Sequence, residues 1–379
     1  MKTRVYILYT GGTLGMAPQD ANDPASPLAP QPFADLLPLL PGCSGPGSHK
    51  PGRLRLDNGN LIELGCDSIP PVDSSDISPQ HWIQIARKIQ SVYADYDGFV
   101  VLHGTDTMAY TSSALSFMFE NLGKPVVLTG SQRPLAAMRT DAVLNFVNAL
   151  FVAGYQASNL PLIPEVVIVF ADKILRGCRA TKVSSVGWAG FDSPNLPPLG
   201  TIGQHIVINT RYLLPGPAGN PLVVQTDLAS DVCSIGLFPG LPIGPMRQLF
   251  LAREIEGIVL HTYGAGNVPT ASDFLTMVAQ SVQGDVLTSL AGGVQRRAIS
   301  GGRLIVAVSQ CLQGIVEMGL YASSCGILQR GVLSGLDMTP EAALTKLMWS
   351  LGTRSDVERM TRMQTSQRGE QSTGIYPLD

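Results

Sequence analysis

At 379 residues the chain exceeds the roughly 250–300 at which one hydrophobic core stops growing, so two domains are expected. With 45% apolar and 15% charged residues it can bury large cores, while a net charge near −3 and the lack of any dense Lys/Arg run exclude a nucleic-acid surface. No apolar run approaches the roughly 18 residues of a membrane-spanning helix, so no membrane partner is expected and a small-molecule site is the better reading.

The first element is an apolar run, Val5-Tyr6-Ile7-Leu8-Tyr9, suited to a strand buried on both faces and ending in Thr10-Gly11-Gly12-Thr13. Its flanks, Lys2 and Arg4 before so short an apolar stretch, do not make a secretory signal, which predicts a cytoplasmic protein. Met16 to Pro41 is Pro/Ala-rich without a clear period and reads equally as a surface loop or as a lid over Thr13. Ser78-Pro79 followed by Trp82, Ile85, Ile89 and Val92 predicts a capped amphipathic helix. Gly98 to His103 is a second buried strand, running into Gly104-Thr105-Asp106-Thr107. Met108 to Asn121 predicts a helix closed by Gly123, and Pro125 to Thr129 a strand reaching Gly130-Ser131-Gln132. A helix over Asp141 to Ala153 follows, then a strand at Val166 to Phe170 and a polar turn carrying Lys173, Arg176, Arg179 and Lys182.

This alternation predicts an α/β fold: a larger N-terminal domain over 1–211 with a doubly wound, mostly parallel sheet. The Pro/Gly-rich run from Leu213 to Pro221 marks a linker over 212–227. Beyond it, Gly257 to His261 and Leu304 to Val308 read as strands, leading into Tyr263-Gly264-Ala265-Gly266-Asn267 and Ser309-Gln310-Cys311. Thr339-Pro340-Glu341 opens a helix through Leu344, Leu347 and Leu351, so 228–379 is expected to form a smaller α/β domain.

Singly, the polar turns are ambiguous. Thr10 to Gly15 lacks the spacing of a phosphate-cradling loop and reads as a tight turn as readily as a site. Gly104 to Thr107 alone is an N-capping cluster for the helix at Met108. His103 reads as a satisfied core residue, and Cys311 as a buried thiol with no base beside it. Six cysteines without C-x-x-C or His/Cys pairing predict reduced thiols and no metal. If the two strands are parallel neighbours, however, the Thr13 and Thr105 hydroxyls and the Asp106 carboxylate converge outside the carboxyl ends of the sheet, where such folds place ligands.

Together, the two turns and their flanks, Lys2 to Thr13 and Gly98 to Phe117, resemble the signature segments of the bacterial-type L-asparaginases. The likeness continues through Val72 to Asp76, Arg176-Gly177, Thr181-Lys182, Gly190 to Pro198, Tyr263 to Asn267 and Asp337 to Leu347. The Ser-Ser-Asp at Ser74 to Asp76 and the Met-Ala-Tyr-Thr at Met108 to Thr111 are most similar to the cytosolic type I subgroup.

The resemblance implies an L-asparagine amidohydrolase in which Thr13 attacks the side-chain amide, releases ammonia and forms a β-aspartyl ester. Amide hydrolysis of this kind needs a hydroxyl, a proton acceptor and oxyanion donors, and no cofactor. Lys182, against Thr105, would activate that hydroxyl or the attacking water and must be partly desolvated to do so. Asp106 would hold the substrate's α-ammonium, with Asp73, Ser74 and Ser75 at its α-carboxylate end. Backbone N–H groups of the glycine turns would receive the oxyanion.

Met16 to Phe33 holds no tyrosine to assist the nucleophile, and by analogy with type I relatives Tyr321 is expected to substitute. Asn267 matches a position that completes the site from a partner chain, implying a homodimer or homotetramer. An allosteric asparagine site would include Thr181 and Cys311, but His261 stands where its arginine is expected. Val282 to Arg303 and part of Leu39 to Glu63 look like insertions.

Two other readings share these residues. The amidase subunit of a tRNA-dependent amidotransferase carries an extra N-terminal domain, whereas here the first turn starts at residue 10. A non-catalytic amino-acid sensor would need the carboxylate but neither the nucleophile nor the lysine. Lysophospholipase activity, associated with long mammalian relatives, finds no G-x-S-x-G elbow here.

Overall fold

The apolar run at the start of the chain forms strand β1 (Lys2–Gly11), the strand about which the first sheet reverses direction. The computed structural model describes residues 2–20, 22–23, 25–43, 52–283, 302–353 and 355–372. It divides into two units, Met1–Thr226 and Asp227–Asp379.

In the first unit β1 is joined by β2 (Gly52–Arg55), β3 (Leu61–Val72), β4 (Gly98–Leu102), β5 (Val126–Thr129) and β6 (Val166–Phe170). Three further strands, β7 (Lys173–Arg176), β8 (Gly200–Ile202) and β9 (Ile206–Ile208), complete the order β9-β8-β7-β6-β5-β4-β1-β3-β2. β3, β1, β4, β5 and β6 are parallel, and the strands at both margins are antiparallel. The chain steps from β1 out to β3 on one side and then crosses to β4 on the other, which makes the carboxyl ends of β1 and β4 the topological switch point.

Helices cover both faces. On one, Val5, Ile7 and Tyr9 of β1 share a core with Val100, Leu102 and, from α3 (Ala142–Ala153), Phe146 and Leu150. On the other, Tyr6 meets Phe99, and Tyr93, at the end of α1 (Pro79–Val92), stacks on Phe99 at 5.6 Å. Trp82 of α1 donates an indole hydrogen bond to Thr111 of α2 (Met108–Met118) at 3.0 Å. Strands covered on both faces are apolar throughout, which is why β1, β4 and β6 are readable in sequence.

Several segments depart from expectation. β3, twelve residues long, carries no sequence prediction because Gly65, Cys66, Asp67, Ser68 and Pro70-Pro71 interrupt any apolar period. The helix expected to reach Asn121 ends at Met118; Phe119–Glu120 instead pairs antiparallel with Val223–Val224, and Asn121 turns with φ 59°. The supposed polar turn at Lys173–Arg176 is strand β7, with Ile174 and Leu175 buried and Arg176 paired with buried Glu165 at 2.6 Å. The Pro/Ala-rich stretch folds back on itself, Met16–Pro18 pairing with Leu28–Pro30, and Phe33 stacks on Tyr9. Most of the insertion expected at 282–303, and 44–51 of the other, lie outside the described residues.

The second unit is built on four parallel strands, β10 (Val232–Gly236), β11 (Gly257–Thr262), β12 (Leu304–Ser309) and β13 (Leu333–Ser334). α4 (Ile243–Phe250), α5 (Ser272–Gln283) and α6 (Ala322–Leu328) supply Phe250, Phe274, Met277 and Ile327 to a core with Ile258, Leu260 and Ile305. α7 (Pro340–Leu351) packs on β10, β11 and β12, its N-terminus capped by Thr339, whose hydroxyl accepts from the Ala342 amide at 3.2 Å. The expected α/β class, a larger doubly wound sheet and a smaller parallel one, is the observed fold. Among the described residues no helix is long and apolar enough to cross a membrane.

Candidate active site

Three turns meet outside the carboxyl ends of β3, β1 and β4, and they meet backbone to backbone. Gly12, with φ 86°, sits so close to the third turn that a Cβ on it would lie 2.3 Å from the Cα and N of Gly104. A Cβ on Gly104 would in turn lie 2.5 Å from Ser74. Hydrogen bonds reinforce the contact: Gly12 N donates to Val72 O at 3.2 Å and Thr107 Oγ1 to Ser74 O at 2.7 Å.

Each turn presents a different polar group. Asp73 opens a short 3-10 turn over Ser74–Asp76, its Oδ1 accepting from the amide of Ser75 at 2.9 Å and the hydroxyl of Ser75 at 2.8 Å. Ser74 is buried and Ser75 exposed. Thr13 begins a 3-10 turn over Thr13–Gly15, and among the described residues its hydroxyl has no hydrogen-bond partner.

Lys182 is brought to the third turn by the pairing of Thr181–Lys182 with Phe191–Asp192. Its Nζ donates to Thr105 Oγ1 at 2.8 Å and to Asp106 Oδ1 at 2.6 Å. The Lys182 side chain is 18% exposed and that of Asp106 67%, so the cation is tucked in while the carboxylate reaches solvent. Thr105 is buried, yet its amide N–H has no acceptor among the described residues.

Behind Thr105 stands His103, fully buried as expected of a core histidine. Its Nδ1 lies 2.7 Å from Gly104 O, and its Nε2 lies 2.9 Å from Thr111 Oγ1, the oxygen that also receives the Trp82 indole. Burial lowers its pKa to about 4, with a smaller contribution from the charge of His81, so the ring is neutral at pH 7. This chain from Trp82 to Gly104 spans three elements, and no motif in the sequence announces it.

Asn267 and Tyr321 lie in the second unit. Asn267 pairs with Tyr263 across a tight turn and accepts a hydrogen bond from Ser323 Oγ at 2.7 Å. Tyr321 precedes α6 and is 52% exposed. Cys311, expected to be buried, is exposed: it falls in the bend after β12, where its amide bonds Ser309 Oγ at 3.0 Å. His261 Nε2 lies 2.7 Å from Ser234 Oγ, and burial lowers its pKa. Among the described residues no group of three or more His, Cys, Asp or Glu side chains is placed to hold a metal.

A larger doubly wound unit with hydroxyl, ammonium and carboxylate groups at its switch point, followed by a smaller parallel one, describes a two-domain amidohydrolase. The chain belongs to the asparaginase family: the model of the asparaginase N-terminal region matches residues 4–213, and that of the glutaminase/asparaginase C-terminal domain residues 231–363. L-asparaginase 1 of Escherichia coli is 40% identical over 372 residues, 97% of this chain and 98% of that protein. The 60 kDa lysophospholipase of Mus musculus is 43% identical over 283 residues, 75% of this chain but 46% of that protein. The crystal structure of L-asparaginase I from Vibrio cholerae superposes with a TM-score of 0.78 at 37% identity, covering 98% of this chain and all of that one.

Proposed function

We propose that this enzyme hydrolyses L-asparagine to L-aspartate and ammonia through an ester on Thr13. The observation that carries this reading is the Thr105–Lys182–Asp106 contact, set beside the Thr13 turn by the approach of Gly12 to Gly104. The near full-length similarity to an L-asparaginase supports asparagine as the substrate. The lysophospholipase shares under half its own length with this chain and supplies no reason to assign a lipid substrate.

Asp106, mostly exposed, takes the substrate's α-ammonium, while the Asp73–Ser75 turn, with Ser74 and Ser75, holds the α-carboxylate end. The side-chain amide then lies over the switch point. The unpartnered Thr105 N–H is a donor for the oxyanion that forms when Thr13 Oγ1 attacks. Collapse expels ammonia and leaves the β-aspartyl ester, which water hydrolyses. Lys182 donates to Thr105 Oγ1 and Asp106 Oδ1; a substrate ammonium arriving at Asp106 competes for its carboxylate, and the lysine as a neutral amine is placed to take a proton from Thr105 or from water.

By analogy with type I relatives we assign the assisting hydroxyl to Tyr321, from this chain or a neighbouring subunit, and the completion of the site to Asn267 of a second copy in a homodimer or homotetramer. The deciding experiment is ammonia release from L-asparagine and L-glutamine by the protein and its Thr13→Ala variant. Activity that collapses in the variant, with asparagine binding retained, supports the reading. Release that survives removes Thr13 from its role, and silence from both with binding intact points to a sensor.

A further inference from the structure

We propose that His103 is a positioning residue that aims the Thr105 amide into the site. The inference rests on the reading above, in which that amide receives the oxyanion. Three contacts determine how the ring is held. The Trp82 indole is a donor only and the Gly104 carbonyl an acceptor only, so Thr111 Oγ1 accepts from the first and, with the ring hydrogen taken by the second, its single proton is left for the ring. That proton goes to His103 Nε2 at 2.9 Å. Nε2 is therefore the acceptor nitrogen and Nδ1 carries the hydrogen, donated to Gly104 O at 2.7 Å. The opposite tautomer would set the Nδ1 lone pair against the carbonyl oxygen.

The consequence runs through one peptide plane. The described residues contain no cis peptide bond, so the C=O of Gly104 and the N–H of Thr105 point in opposite directions. With the carbonyl drawn inward by His103, the amide faces outward, beside the hydroxyl that Lys182 holds. Gly104 has no side chain to restrict its backbone, because Ser74 occupies the space where one would stand. The orientation of its peptide depends on that inward anchor. The same hydrogen bond polarises the amide and strengthens the N–H as a donor.

The test uses His103→Leu, His103→Asn and Thr111→Val in the full chain, with kcat and KM for L-asparagine measured by ammonia release. An asparagine amide N–H stands near the position of Nδ1–H, so it restores the anchor that leucine removes. His103→Leu is expected to lower kcat about tenfold to hundredfold, short of the roughly 10²–10³ for deleting an oxyanion donor outright, with KM within about threefold. His103→Asn should return kcat to within about threefold of the parent. Thr111→Val, which frees the tautomer but keeps the ring, should lower kcat a few-fold at constant KM. A folded His103→Leu enzyme with parental kcat, or an Asn variant no better than Leu, overturns the proposal. If the Leu variant does not fold, parental kcat in Thr111→Val overturns it. Ammonia release that survives Thr13→Ala would remove the catalytic reading itself, whereas Thr13-dependent release indifferent to His103 removes only this inference.

Discussion

Lys182 reaches Thr105 with its ammonium, Nζ to Oγ1 at 2.8 Å, from a strand pair 77 residues further along the chain. Replacing it by methionine keeps the apolar stem and removes the charge. Lys182→Met is expected to lower kcat by about 10²–10⁴, the range for loss of acid–base assistance. Ammonia release and a thermal melt of the same sample separate this from unfolding.

Asp106 makes the second contact of that lysine and presents most of its surface to solvent. Asp106→Asn should raise KM for L-asparagine about tenfold to hundredfold, the worth of a charge-assisted hydrogen bond. Succinamate, which lacks the α-amine, should lose much less. Equal losses for the two substrates would remove Asp106 from the ammonium site.

His103 links stability to pH. Its pKa falls from an ordinary 6.5 in the unfolded chain to about 4 in the folded one, so between those values the unfolded state binds more protons. The contribution is full above about pH 6.5 and is lost as pH falls through 4; a shift of this size is worth about 3 kcal/mol. Urea unfolding at pH 7 and pH 4 should show that difference in the parent and a smaller one in His103→Leu. An identical pH dependence in both would show that this ring does not carry it.

Cys66 and Cys43 place their sulfurs 3.9 Å apart, 23 residues apart in the chain, and both are free thiols. Mild oxidation by a small disulfide such as oxidised glutathione should join them by thiol–disulfide exchange, releasing two equivalents of the reduced thiol. The closed loop would stabilise the first unit by about 3 kcal/mol in the chain-entropy account. Peptide mapping without reductant and a thermal melt check the bond and its effect, and Cys66→Ser should abolish both.

What the sequence discloses follows the physics of burial. β1, β4 and β6 are apolar on both faces and end in polar turns, so both they and the Thr13 and Thr105 turns are legible without coordinates. β3 is hidden because a strand near the sheet margin accommodates Asp67, held by Lys88 and Tyr6, and a Pro-Pro pair. β7 is hidden because Arg176 is buried against Glu165, a pairing that only tertiary structure reveals. In the site, the lysine and threonines are conspicuous by type, whereas the Trp82–Thr111–His103 relay is made of residues that each pass for ordinary core.

The close approach of Gly12 to the Gly104 backbone, and of Gly104 to the Ser74 side chain, carries a consequence for anyone who would reshape this enzyme. Segments from three distant parts of the chain come together without a methyl group's clearance, so neither Gly12 nor Gly104 can take a side chain unless its neighbours move. A random library directed at these turns should return mostly inactive clones. Productive variation in substrate choice should come instead from partly exposed side chains close in sequence to Thr13, such as those of the paired Met16–Pro18 and Leu28–Pro30 segments, where exposure leaves room for change.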